Sequence, residues 1–157
     1  LRPLTADDLE GLYAAASDPL VWAQHPDPLR HQRAVFETRF FYPGLQAGSA
    51  LAVIDQASGH IIGSSRFYDV DATKRELAIG YTFLARPYWG GATNRELKSL
   101  MLDHAFEWAQ RVWFHIGVDN LRSRKAIEKI GAQLSHVMDR EINGGIYPTA
   151  FYSLARG

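Results

Sequence analysis

The chain contains no cysteine. That absence alone removes disulfide cross-links, thiolate nucleophiles and cysteine-held zinc or iron–sulfur clusters. Neither charge is in surplus: 17 Lys and Arg residues face 17 Asp and Glu. No overall field therefore attracts nucleic acid or an anionic membrane, and any phosphate site has to be local. No apolar run approaches the ~18 residues of a membrane span, and the opening Leu1-Arg2-Pro3-Leu4 lacks the apolar centre of a signal peptide. The expectation is a soluble, cytoplasmic protein, with a few residues missing before Leu1. The six histidines are scattered without carboxylates at ligand spacing, so no metal is expected. The chain also lacks the Gly-Lys-Ser/Thr ending of a P-loop and the three-glycine dinucleotide fingerprint, which disfavours a nucleoside-triphosphate enzyme.

What is present suits one globular domain over residues 1–157, with 46% hydrophobic and 22% charged residues. Arg2 to Leu4 reads as a short strand. Thr5 then caps a helix in which Asp8 closes a capping box and Leu9, Leu12 and Tyr13 recur at helical spacing, ending near Ser17-Asp18-Pro19. His25, Pro26 and Pro28 make Trp22–Pro28 irregular, and a second helix is expected over Gln32–Phe41, closed by Pro43-Gly44. Strands follow at Ala50–Ile54, Ile61–Tyr68 and Glu76–Leu84. Leu97, Leu100, Met101, His104, Ala105 and Trp108 mark an amphipathic helix, and Val112–Val118 a continuous apolar strand, so a βαβ unit is expected here. Asn120 caps a further helix that stops at Gly131, and two last strands, Leu134–Ile142 and Tyr147–Leu154, are joined at Asn143-Gly144-Gly145. The fold class is α+β with a mixed sheet.

The loop before the amphipathic helix, Pro87-Tyr88-Trp89-Gly90-Gly91-Ala92-Thr93-Asn94, leaves backbone N–H groups and a helix dipole aimed at one point, with Arg95 in the first turn and Lys98 one turn on. That arrangement is either an anion site or a plain steric turn. The order of elements adds a more specific signal. Ile79-Gly80-Tyr81 stands before Tyr88-Trp89-Gly90-Gly91, and Asn120-Leu121-Arg122-Ser123 before Glu128-Lys129-Ile130-Gly131. In this the chain resembles, over nearly its whole length, the GNAT superfamily of acyl-CoA-dependent N-acetyltransferases, and most nearly its Rim-like branch of ribosomal-protein N-terminal acetyltransferases.

The resemblance implies a mostly antiparallel mixed sheet flanked by helices, acetyl-CoA as co-substrate without a metal, and an amine acceptor that is a small molecule or a peptide N-terminus. It places the CoA pyrophosphate on Gly90, Gly91, Ala92, Thr93, Asn94 and Arg95, with Ala92 standing where the family has glycine. It places the pantetheine arm and the thioester carbonyl on the backbone of a bulged strand at Thr82, Phe83 and Leu84. Asn120 would contact the arm as well as cap its helix. The resemblance puts Ile127 at the position of the family's thiol-protonating tyrosine and Ser123 where Rim-like members carry serine, which implies Ser123, or water, as the group that steadies the departing sulfur.

Amine attack requires a neutral nitrogen. Glu76 is the candidate base, and a solvated carboxylate is its alternative. His25 is either a surface residue or a neighbour of the acceptor. Trp22, Phe67, Tyr68 and Tyr147 either wall an acceptor pocket or are ordinary core material. His104 and His115 lie in apolar patterns and read as core or interface. A CoA-binding regulatory module without turnover is the competing function. No nucleic-acid or membrane partner is expected, and a homodimer is the default assembly.

Overall fold

Residues 1–157 are described by a computed structural model. In chain order the elements are β1 (Arg2–Pro3), α1 (Leu9–Ala16), α2 (Pro19–Trp22), α3 (Arg33–Phe36), α4 (Tyr42–Ala47), β2 (Ala50–Ile54), β3 (Ile61–Asp71), β4 (Glu76–Leu84), α5 (Thr93–Phe106), β5 (Arg111–Gly117), α6 (Leu121–Glu128), β6 (Gln133–Ile142) and β7 (Gly145–Ala155). The strands hydrogen-bond in the order β1-β2-β3-β4-β5-β7-β6, and β4–β5 is parallel. The chain divides into two compact units. The first comprises Leu1–Ala23, Asp27–Arg66 and Tyr81–Leu97, and the second Gln24–Pro26, Phe67–Gly80 and Lys98–Gly157.

In the first unit the capping box forms as the Thr5-to-Asp8 spacing predicts. The Thr5 N–H donates to Asp8 Oδ2 at 2.8 Å, and Arg2 clamps the same carboxylate. The opening turn is a 3₁₀ turn, Ala6–Asp8, ahead of α1. The second helix departs from expectation. It does not close at Pro43-Gly44 but runs through a π turn at Glu37–Phe41 into α4, and stops at Gly48 in the left-handed conformation, φ 71°. Pro43 lacks an N–H and would break a regular α ladder from within. With the wider π turn just ahead of it, the proline falls in the first turn of α4, where that donor is not needed. Phe36, Phe40, Phe41 and Gly44 then share one buried face. These rings pack with Leu12, Trp22 and Phe83 in an aromatic core, with Trp22 and Phe83 centroids 5.0 Å apart.

β2 pairs antiparallel with β3, Ala50 opposite Arg66. At Gly63 a side chain is impossible without movement, because an added Cβ would lie 2.1 Å from the Phe83 carbonyl oxygen of β4.

In the second unit Glu76, Leu77 and Ala78 pair with Arg111, Val112 and Trp113. A parallel pair needs a long crossover, and the chain between β4 and β5 supplies α5, as the βαβ spacing predicts. β5 pairs with β7, and β7 with β6. Asn143 (φ 49°) and Gly144 (φ 80°) turn the last hairpin with the two positive φ values that a type I′ turn requires. At the end of α6, Gly131 (φ 96°) lets the Ala132 N–H reach the Ile127 carbonyl at 3.2 Å. His104, read as core or interface, is exposed and lies 3.8 Å from Glu107.

Candidate functional site

The regular alternation of β4 breaks at Tyr81, whose φ is +52°. Left-handed backbone in a bulky residue costs about 1–3 kcal/mol and is held only where its surroundings enforce it. Beyond the break the strand still lies against β3, since the Ala85 N–H donates to the Ile62 carbonyl at 2.8 Å and the Phe83 carbonyl sits over Gly63. Successive residues of a strand turn their backbone groups to opposite sides. The backbone of Phe83 and Ala85 therefore faces β3, and that of Thr82 and Leu84 faces the other way. This corrects the expectation for Phe83: its backbone belongs to the β3 side and its side chain to the aromatic core, 5% exposed. The Leu84 carbonyl accepts from the Trp89 indole N–H at 2.8 Å, which ties the following loop to the strand end.

That loop begins with a 3₁₀ turn, Arg86–Tyr88. Arg86 is ion-paired with Asp18, and Tyr88 Oη donates to Asp55 at 3.0 Å, a contact that raises the phenol pKa, while the Ser58 hydroxyl and then this contact lower that of the carboxyl. Gly90, with φ 73°, takes a left-handed backbone that glycine adopts at the least cost. Gly91 avoids that region. A Cβ built on either glycine meets nothing within 4 Å, so the space in front of the loop is open. Ala92 is exposed, and its carbonyl accepts from the Glu96 N–H at 2.9 Å as α5 begins. The first N–H groups of α5, over Thr93, Asn94 and Arg95, have no intrahelical acceptor by geometry and carry the positive end of a 14-residue helix. Arg95 is exposed beside them. A diphosphate fits this cradle: small residues, an open front, helix N–H groups and one cation. Lys98 is not part of it. Its side chain is buried, 4% exposed, with Nζ 5.9 Å from the Phe114 ring centroid, and burial lowers its pKa to about 7.

In the second unit Asn120 caps α6, its Oδ1 accepting from the Ser123 N–H at 3.3 Å. Asn120 is 8% exposed and Ser123 is half-buried, while Ile127 points into the interior at 3%. The Arg122 N–H lies 3.4 Å from Gln24 Oε1, and a Cβ on Gly117 would meet Pro26 Cγ at 3.4 Å. Gln24–Pro26, with the half-buried His25, thus packs at the end of β5 and the start of α6. Tyr68 Oη hydrogen-bonds His115 Nδ1 at 3.0 Å, and its ring lies across Gly80, where an added Cβ would be 2.8 Å away. Burial, then Arg140, lowers the His115 pKa to about 4, so the ring is neutral near pH 7 and either partner can donate in that bond. Phe67 is 6.0 Å from the His104 ring, and Tyr147 is half-buried beside Gly145.

Two expected site residues have other employment. Trp22 is 2% exposed in the aromatic core and donates its indole N–H to the Ala16 carbonyl at 2.8 Å, so it walls no open pocket. The Glu76 carboxylate accepts from the Trp113 indole at 3.0 Å and lies 3.4 Å from Arg111 Nε. It sits four residues, roughly 13 Å of strand, before the Gly80 against which Tyr68 packs, and it pins β4 to β5. The resemblance implies a bulged strand at Thr82, Phe83 and Leu84; the left-handed break lies one residue ahead, at Tyr81, a residue type that does not announce it.

Residues 1–133 match the family model of the acetyltransferase (GNAT) domain. The chain belongs to this family. Among solved structures it is similar to a GCN5-related N-acetyltransferase from Brucella melitensis, at 22% identity and TM-score 0.85 over 98% of this chain and 73% of that one. It is also similar to Mycobacterium smegmatis RimJ in complex with CoA-disulfide, at 18% and 0.72, covering 98% and 80%. A third is the spermidine N-acetyltransferase from Vibrio cholerae in complex with CoA and spermine, at 17% and 0.74, covering 98% and 93%. At these identities the likeness is one of fold. No curated protein sequence matches the chain.

Proposed function

We propose that residues 1–157 act as one acetyltransferase domain that moves an acetyl group from acetyl-CoA to a primary amine by direct attack. The observation that carries the reading is the sequence of features along β4 and its loop: a left-handed break at Tyr81, outward backbone at Thr82 and Leu84, and an open glycine cradle running into α5. Bound acetyl-CoA supplies an activated thioester. The chain's own groups do the rest. Gly90, Gly91, Ala92, Thr93, Asn94 and Arg95 hold the diphosphate with backbone N–H groups and one guanidinium. Thr82 and Leu84 align the pantetheine arm as an added strand would be aligned, and a backbone N–H there is placed to stabilise negative charge developing on the carbonyl oxygen.

Asn120 positions the arm while capping α6, and Ser123 steadies the leaving sulfur. Tyr68, Phe67, His25 and Tyr147 line the acceptor side. An acceptor with a weakly basic amine, such as a peptide N-terminus with pKa near 7.7, needs little help from a base, whereas a lysine-like amine near 10.4 needs much. With Glu76 held by Trp113 and Arg111, the α-amine is favoured, which supports a Rim-like assignment. Dependence on acetyl-CoA suits the cytoplasm, and no helix is long and apolar enough to cross a membrane.

Thermal-shift titration with CoA, acetyl-CoA and NAD, followed by thiol release with peptides, small amines and polyamines, tests the proposal. A ligand bound by the folded state alone raises the melting temperature, and we expect this from CoA and acetyl-CoA but not from NAD. No shift from millimolar CoA overturns the reading. CoA binding without turnover on any acceptor class replaces it with the regulatory-module reading, which the buried Ile127 and the engaged Glu76 would then explain.

A further inference from the structure

The parallel pairing of β4 with β5 runs from Glu76 opposite Arg111 to Ala78 opposite Trp113, and both strands continue past it, β5 as far as Gly117. Two residues beyond the last pair stand Gly80 on β4 and His115 on β5. Tyr68, from β3, joins them. Its ring lies across Gly80, where an added Cβ would be 2.8 Å from Tyr68 Cε1, and its Oη is 3.0 Å from His115 Nδ1. The residue that follows each of Tyr68 and Gly80 is left-handed, Asp69 at φ 49° and Tyr81 at φ 52°. Such backbone in residues other than glycine persists only where the surroundings enforce it, and it gathers at functional sites. Three strands are thus shaped around one phenol. Tyr68 is half-buried and the Asp69 side chain is exposed, so the cluster borders solvent.

The imidazole behind the phenol is more enclosed, its side chain 10% exposed and its ring 4.4 Å from that of Phe151. The charged and titratable groups around it are Asp69, whose Oδ2 is 4.0 Å from Nδ1, Arg140, whose Nη1 is 3.4 Å from the same atom, and His136, stacked on Phe151. Arg140 can only donate. An N–H on Nδ1 would face it, whereas a lone pair there suits both Arg140 and a donating Tyr68. Burial, Arg140 and His136 disfavour the imidazolium and Asp69 favours it, so the ring is a weak base. A weak base leaves a free ammonium protonated. It takes a proton only from a stronger acid, which an amine nitrogen becomes once it is bonded to a carbonyl carbon.

We infer that Tyr68 Oη accepts the proton lost by the attacking amine and that His115 Nδ1 accepts the Tyr68 proton in the same step. The inference rests on the acetyltransferase reading, in which Thr82, two residues after Gly80, aligns the acetyl donor. The neutral amine nitrogen bonds to the thioester carbon, and one N–H proton passes to Tyr68 Oη as the phenol's own proton passes to His115. The C–S bond breaks with its electron pair on sulfur. The thiolate then gains a proton from water and the imidazolium gives one back to water, so the products are the amide and the thiol. This supplies a proton acceptor in place of Glu76, which is held by Trp113 and Arg111.

The test has two arms on the full chain. In the first, the His115 ¹⁵Nδ1 resonance of the CoA-bound protein is followed by NMR while a short peptide with a free α-amine, butylamine or spermidine is added at millimolar concentration. We expect an unprotonated Nδ1 whose resonance shifts with at least one of the three amines. A protonated Nδ1, or a resonance that none of them moves, overturns the inference without any turnover. Failure of CoA to raise the melting temperature defeats the acetyltransferase reading separately.

In the second arm, Tyr68→Phe keeps the ring over Gly80 and should lower kcat roughly a hundredfold, with KM, CoA affinity and melting temperature little changed. His115→Asn offers Tyr68 a side-chain oxygen that accepts a hydrogen bond without taking up a proton, and should lower kcat to a similar extent. Parent-rate turnover by either variant, with chemistry limiting, overturns the inference. Full rate in His115→Asn alone would reduce His115 to a residue that positions Tyr68.

Discussion

Replacing Lys98 by methionine should stabilise the fold by an amount that depends on pH. The lysine is 4% exposed on the inner side of α5, and burial lowers its pKa from 10.5 to about 7. The unfolded chain holds the proton up to pH 10.5, while the folded chain gives it up from about pH 7. Between those limits unfolding takes up a proton, so the stability of the lysine protein rises with pH, by at most about 1.4 kcal/mol per pH unit. Below pH 7 both states are charged and the whole burial penalty stands, with an upper limit of about 5 kcal/mol. Methionine keeps the length of the side chain and removes the charge. The stability difference between the Lys98→Met and parent proteins should therefore favour methionine most near neutrality, and that advantage should shrink steadily as the pH is raised toward 10. Urea unfolding followed by tryptophan fluorescence, run on both proteins across this range, measures the difference and cancels the other titrating groups. Equal m-values are required for the comparison. A difference that does not change with pH, or a methionine protein that is the weaker of the two at pH 7, would refute the reasoning.

Gly91→Val should weaken CoA binding at least tenfold while melting within a degree or two of the parent, because its Cβ enters open space in the free protein and would meet a phosphate in the complex; calorimetric titration checks this. Asn120→Asp should keep the cap on α6, with stability within about 1 kcal/mol of the parent, yet lower CoA affinity by removing an amide donor. Ser123→Ala should lower turnover roughly tenfold to a thousandfold with CoA affinity unchanged, and parent-rate turnover with chemistry limiting would return Ser123 to the helix surface. Glu76→Gln should lower stability modestly and leave the pH profile of kcat/KM unmoved, whereas a lost acidic limb would make Glu76 the base after all. Gly63→Ala should cost more than about 2 kcal/mol of stability, since backbone on β4 has to shift to admit the methyl.

The elements were legible where pattern and packing agree. β4 begins and ends where its apolar run does, β5 is a short apolar strand within one residue of expectation, and Thr5, Asn120 and Gly131 cap or stop as their chemistry requires. The departures share a cause. Pro43 reads as a terminator because the sequence does not display the π turn that moves it to a helix start. His104, read as core or interface, is exposed, and Lys98, expected one turn beyond the anion loop, is buried, since a hydrophobic stripe drawn through residue types does not fix which flank of a helix is covered. The glycine cradle could be located from Gly90-Gly91 alone. The break at Tyr81 could not be read from residue types, and a bulge in this strand is expected only from the resemblance. Trp22 and Glu76 were equivocal for a related reason: an aromatic ring or a carboxylate serves a pocket and a core equally well until its partners are known.

The π turn at Glu37–Phe41 acts as a one-residue insertion absorbed within a continuous helical run. On a regular α-helix each residue advances the direction of its side chain by about 100°. Forcing an ordinary ladder through the same residues would rotate everything beyond it by that angle, carrying Phe41 and Gly44 off the face they share with Phe36, whereas deleting one residue of the turn would let the ladder close with that face kept. Gly44 also packs beside Ala50 of β2, where an added Cβ would lie 3.4 Å from the Ala50 Cβ, so the spacing of this turn phases the core of the first unit and its seat on the sheet together. A further residue inserted here would be felt in both places, whereas the exposed turn between Asp55 and Gly59 could gain or lose a residue with neither noticing.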